Sequence, residues 1–154
     1  MGRFAPFFLL IAVAGCTDPP KQNRAALYYQ GLDDLWRWHP SRGGAGDPAY
    51  DGLLALDPPE SVPILIQGLT ETAATKIDDG RHPPPTVGHV CFLMLLKLFA
   101  LTPKDFDREG VWLYPHEDNP IYALNLDGAG VRQRAGAKFT RLALERKWLG
   151  EQKP

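Results

Sequence analysis

The chain is poor in sulfur and has no excess of either charge. Only two cysteines, Cys16 and Cys91, occur in 154 residues, with no Cys-x-x-Cys pair, which excludes a cysteine-built zinc knot and a multi-disulfide framework. Lys plus Arg number 17 against 18 Asp plus Glu, and a formal net charge of −1 gives no sign of a nucleic-acid partner. The four histidines include no pair one helical turn apart, and neither a GxSxG elbow nor a GxxxxGK[ST] loop is present. Long apolar runs are confined to residues 7–14 and 87–101.

The first run reads FFLLIAVA after a positive Arg3, and Gly15 and Cys16 follow it directly. A charged start, an apolar run and a small-residue end make up a secretion signal. The run is far shorter than the ~20 residues that span a bilayer, and Gly15, Asp18, Pro19 and Pro20 end any helix. Val13, Ala14, Gly15 and Cys16 resemble the lipobox of bacterial lipoproteins. The resemblance implies cleavage after Gly15, a diacylglyceryl group on the Cys16 thiol, acylation of the new amino terminus and a lipidated tether over residues 16–22. Thr17 stands where inner-membrane retention in enteric bacteria favours Asp, so the same resemblance implies an outer-membrane anchor facing the periplasm. Two acyl chains anchor stably, each buried methylene contributing about 0.8 kcal/mol. Loss of residues 1–15 removes one basic residue, Arg3, and leaves a single domain over residues 23–150. With Cys16 on lipid, Cys91 has no disulfide partner, and its apolar surroundings suit a small buried hydrophobe.

The remaining chain is patterned for helices. Leu27, Tyr28, Leu32, Leu35 and Trp36 recur at helical spacing from Asn23 until Pro40 stops them. Trp36 and Trp38 flank Arg37, which sends one indole toward the core and the other toward its rim; packing is the expected use and an aromatic groove the alternative. Residues 41–46 form a glycine-rich turn. Asp47 and Pro48 open a second helix with Tyr50, Leu53 and Leu54 on one face. Asp57, Pro58 and Glu60 offer cap, first-turn proline and capping-box carboxylate to a third, striped by Val62, Leu65, Ile66 and Leu69; Pro63 either delays its start or bends it. Residues 72–85 are a long connection with a tight turn at Asp79 and Gly80, the tip of a small hairpin with one arm at 75–77. Thr86 caps a nearly all-apolar helix over 87–101, where His89 and Lys97 mark the solvent edge. Thr102, Pro103 and Asp105 begin a short turn that Gly110 interrupts, and residues 111–114 with Pro115 and Pro120 make an ordered aromatic-rich loop. A last helix over 131–149 turns Ala135, Phe139, Leu142 and Leu149 inward and presents Arg132, Arg134, Lys138, Arg141, Arg146 and Lys147 on a basic side.

These patterns predict an all-α domain of about five helices with long ordered loops. The stretches DPPESVPILIQGL and TVGHVCFLMLLKL, within residues 57–101, resemble a HEAT-like helical repeat. The resemblance implies two antiparallel helices and, by analogy of fold, a protein-binding surface.

For chemistry, His82, His89, His116, Glu117 and Asp118 are ligand types that suit zinc, yet their spacing completes no ligand set, so no metal is assigned. Asp127, Gly128, Ala129 and Gly130 have no strand leading into them and make no dinucleotide fingerprint, so no cofactor is assigned either. The neighbouring acids Asp33 with Asp34 and Asp78 with Asp79 need not face one another, and no catalytic residue follows from them. Binding candidates are Asp79 and Arg81 in the long connection and Arg134, Lys138 and Arg141 on the last helix, whose charge suits an acidic protein, anionic lipid or cell-wall polymer. The expected function is a non-catalytic periplasmic lipoprotein, held to the membrane by lipid on Cys16, that binds a protein or envelope component and no nucleic acid. A small inhibitor or immunity-type protein is its special case. The alternative is an envelope hydrolase or metal-dependent enzyme, which requires the histidines and nearby carboxylates to converge in one pocket.

Overall fold

A computed structural model describes residues 21–114, 117–128 and 130–150, so the signal, Cys16 and His116 lie outside the described residues. The apolar stripes fold as helices α1 (Lys21–Gln30), α2 (Pro48–Ala55), α3 (Pro58–Gly68) and α4 (Val87–Phe99). A 3₁₀ segment (Pro103–Glu109), the short α5 (Pro120–Ala123) and α6 (Val131–Glu145) follow. The class is all-α, with only isolated β-bridges among the described residues. α1 lies against α2 and α3, α3 against α4 and α6, the 3₁₀ segment against α6, and α5 against α4.

α1 is shorter than its apolar spacing predicts. After Gln30 the amides of Gly31 and Leu32 donate to the carbonyls of Tyr28 and Tyr29, three residues back, and the helix gives way to turns. Those turns still bury Leu32 and Leu35, whereas Leu27 and Trp36 are exposed. Glycine at 31 is a weak helix former, which fixes the stop there. α2 begins as expected: Asp47 Oδ1 accepts from the amides of Ala49 and Tyr50 at 2.9 and 3.3 Å, and Pro48 occupies the first turn. α3 starts at Pro58 without delay and runs through Pro63, whose missing N–H removes only the bond to the carbonyl of Pro59.

α4 is the centre of the core, with Val90, Cys91, Phe92, Met94 and Leu95 fully buried. His89 does not mark a solvent edge. As the third residue of the helix its ring folds back over the start, with Nδ1 2.9 Å from Thr86 Oγ1 and 3.4 Å from the Thr86 amide, where a Glu or Gln commonly completes a capping box. Phe92 meets Phe106 and Phe139 edge-on at 5.2 and 5.6 Å, and Phe99 meets Phe139 and Trp148 at 5.5 and 4.7 Å. This aromatic row joins α4, the 3₁₀ segment and α6. α6 ends at Glu145 rather than near Leu149, because Lys147 takes a left-handed φ of 57° and stops it; Trp148 and Leu149 still pack on the core.

The long connection closes differently from a hairpin paired next to its tip. Its antiparallel bridge joins Ala74 to Thr86 at the base, where Thr75 N–H donates to the Pro85 carbonyl at 2.9 Å and Val87 N–H to that of Ala73 at 2.9 Å. Pro83, Pro84 and Pro85 have no N–H to extend such a ladder toward the turn. Aspartates shape the tip instead. Asp78 Oδ1 accepts from Gly80, which has φ of +70°, and Asp79 Oδ1 accepts from Arg81 and His82. Among the described residues no single helix is long and apolar enough to cross a membrane.

Candidate functional site

The basic side of α6 is largely engaged by its own chain. Arg132 is buried: Nη1 donates to the carbonyls of Leu69 at 2.9 Å and Glu71 at 3.3 Å, and Nη2 to Thr86 Oγ1 at 3.1 Å and Asp127 Oδ1 at 2.8 Å. It therefore does not belong to a solvated basic face. Carbonyls left over at a helix end attract cations, and Leu69 and Glu71 close α3. Gly88 leaves the room, since a Cβ there would lie 2.0 Å from Arg132 Nη1 and 2.7 Å from the Leu69 carbonyl. The hydrogen bond from Arg132 holds the Asp127 carboxyl below its usual range. Of the binding candidates on α6, Arg134 donates to the Glu109 carbonyl at 3.0 Å. Lys138 donates to the Asp105 carbonyl and reaches Glu109 Oε2 at 3.3 Å. Arg146 donates to the Phe99 carbonyl at 3.1 Å, and Arg141 is exposed with Glu145 3.9 Å away.

A second ionic cluster sits in the long connection. His82 Nδ1 lies 2.8 Å from Asp79 Oδ2, its Nε2 lies 3.1 Å from Glu117 Oε2, and its ring stacks on Tyr122 with centroids 4.9 Å apart. The bond to His82, helped by the amides of Arg81 and His82, holds the Asp79 carboxyl down at about 2. Asp79 is thus taken up by His82, while Arg81 stands exposed beside it.

Two clefts flank this cluster. The first, of about 320 Å³, brings together His82, His89 and Asp127 with Tyr114 and Pro85. That is part of the convergence an enzyme would require, yet the groups already have partners. Both nitrogens of His82 face carboxylates, Nδ1 of His89 faces Thr86, and Asp127 is bonded to Arg132. Burial, reinforced by the charge of Arg132, pushes His89 down to about 4. Cys91 is fully buried and its thiol is pushed up by burial, as an inert core side chain. Among the described residues no group of three or more His, Cys, Asp or Glu could hold a metal ion.

The second cleft, of about 390 Å³, is lined by Trp36, Arg37, Trp38 and Arg42 from the 36–46 loop and by Asp78, Asp79, Asn119 and Tyr122. The Arg37 guanidinium stacks 3.8 Å above the Trp36 ring, and Trp36 is 56% exposed. Neither Arg37 nor Arg42 has an acidic partner among the described residues. Trp38 packs edge-on against Tyr50 at 5.7 Å. Trp38 Nε1 and Tyr122 Oη are buried without a hydrogen-bond partner, a state that costs about 1–3 kcal/mol per group. Burial, with the charges of Asp79, Asp78 and Glu117, pushes the Tyr122 hydroxyl up to about 12. Arg37 and Arg42 are the residues that sequence reasoning passed over. For Arg37 the signal is the Trp-Arg-Trp run at 36–38, where an aromatic groove is the alternative to packing; Arg42 lies outside that run. Comparison of the chain with protein-family models, curated proteins and solved structures finds no match.

Proposed function

We propose that this protein is a lipid-anchored protein of the cell envelope, probing the periplasm from the outer membrane and binding a protein or envelope component without catalysis. The anchor rests on the lipobox at Val13, Ala14, Gly15 and Cys16. The observation that carries the binding role is the second cleft, where two arginines without acidic partners among the described residues meet exposed aromatic surface. Hydrogen-bonding and charged groups left without partners in the folded chain are what a ligand completes. The groups with chemical potential are, by contrast, bonded to one another, since His82 has a carboxylate on each nitrogen. The binding surface is therefore the 36–46 loop together with the turn at Asp78 and Asp79.

The test is membrane fractionation and in-cell cross-linking of the parent beside Cys16→Ser and Arg37→Gln/Arg42→Gln forms. The parent is expected in the outer membrane, cross-linked to one reproducible partner. The serine form is expected to leave the membrane, and the double glutamine form to stay anchored but lose the partner. Membrane retention of the serine form would overturn the anchor. Cross-linking to no partner at all would overturn the binding role.

A further inference from the structure

The second cleft carries charge of both signs on different segments. Arg37 and Arg42 come from the 36–46 loop, and Asp78 comes from the turn of the long connection. No ion pair joins the two sets, so each charge faces the cleft uncompensated by the other. We propose that this cleft is a site for a short zwitterionic peptide, whose carboxylate is held by Arg37 and Arg42 and whose ammonium group is held by Asp78. The proposal deepens the binding role stated above and rests on it.

The guanidinium fork matches a carboxylate with two parallel hydrogen bonds, and Arg is the residue suited to that recognition. Arg37 is already oriented by stacking on Trp36, which reduces the ordering needed when a carboxylate arrives. Asp78 gives one oxygen to the Gly80 amide and retains lone pairs for an ammonium group. The same aspartate repels polyanions, so a nucleic acid, a polyphosphate headgroup or an acidic glycan meets a like charge at this end of the cleft. Trp36, Ile77 and Tyr122 line the same cleft and offer the peptide backbone apolar contact. At about 390 Å³ the cleft suits a few residues of extended peptide rather than a folded domain.

The experiment is calorimetric titration of the full-length lipidated protein in detergent micelles with trialanine, N-acetyl-trialanine and trialanine amide. Trialanine is expected to bind, and each blocked form, lacking one charge, to bind at least about tenfold more weakly. Arg37→Gln, Arg42→Gln and Asp78→Asn are each expected to weaken trialanine by a similar factor, with Arg141→Gln unchanged and near-ultraviolet circular dichroism of all four matching the parent. Equal binding of free and blocked peptides overturns the proposal, as does no saturation at millimolar trialanine. Galacturonic acid trimer or phosphatidylglycerol vesicles binding in place of trialanine, with the same dependence on the two arginines, also overturns it. In those cases a partner still captured by in-cell cross-linking leaves the binding role standing, so the two failures are distinct.

Discussion

Six cations stand between Arg132 and Lys147, and only Arg37 and Arg42 stand in the stretch from Trp36 to Gly46. The denser region is the less exposed in chemical terms. Arg132, Arg134, Lys138 and Arg146 all donate to carbonyls of their own chain, mostly at places where a helix has just ended. Arg37 and Arg42 have no acid to pair with among the described residues and line a cleft. Positive charge in a sequence therefore identifies a binding surface only after the fold's own acceptors have been counted. On α6 the cations are part of the mortar between helices, and in the 36–46 loop they are left over.

The sharpest way to break this contrast is Arg132→Met. It leaves the Leu69 carbonyl without a donor and takes one partner each from the Glu71 carbonyl, which keeps the Gly88 amide, from Thr86, which keeps His89, and from Asp127, and urea unfolding is expected to show a loss of about 3–4 kcal/mol. A loss below about 1 kcal/mol would return α6 to the class of solvated basic helices.

Acid acts on the same junction through His89, which is expected to be the next largest effect. Its folded value is depressed from 6.5 to about 4, so the unfolded chain takes the proton first. Stability present above pH 6.5 is thus lost as pH falls from 6.5 toward 4, by about 2–3 kcal/mol, and changes no further through this group below that. The depressed carboxyls of Asp79 and Asp127 continue the decline at lower pH. In His89→Gln the first step is expected to vanish from a plot of unfolding free energy against pH while the second persists.

Lys138→Ala tests the outer part of α6, where the ion pair with Glu109 is mostly shielded, and thermal unfolding is expected to show a loss of about 1 kcal/mol. Smallest of all, Arg37→Gln and Arg42→Gln are expected to unfold within about 0.5 kcal/mol of the parent. Their stability set beside their binding defect completes the contrast: cations whose loss harms the fold, against cations whose loss harms only recognition.

Much of the architecture was legible because its determinants are local. Asp47 with Pro48 and Thr86 before Val87 announce helix starts from neighbouring residues alone, and the stripe through Val62 and Leu65 fixes an inward face. The end of α1 was not legible, because Leu32 and Leu35 are buried whether a helix or a pair of turns carries them. Arg132 was misread for another reason. Its acceptors lie 63, 61 and 46 residues back, and spacing arguments do not reach that far. The second cleft had a visible half, the Trp-Arg-Trp run, and an invisible one. That Arg37 finds no acid among the described residues is a property of the fold and cannot be counted along the sequence.

The fit of Arg132 into the gap left by Gly88 has a consequence in time. A chain made from its amino end presents the Leu69 carbonyl and the ring of Phe92 well before Arg132 and Phe139 exist to cover them. The domain is closed from its far end, as a clasp closes a bag. Until Arg132 and Phe139 arrive, the two halves of that clasp stay apart, and the emerging chain is open to proteolysis and to other chains.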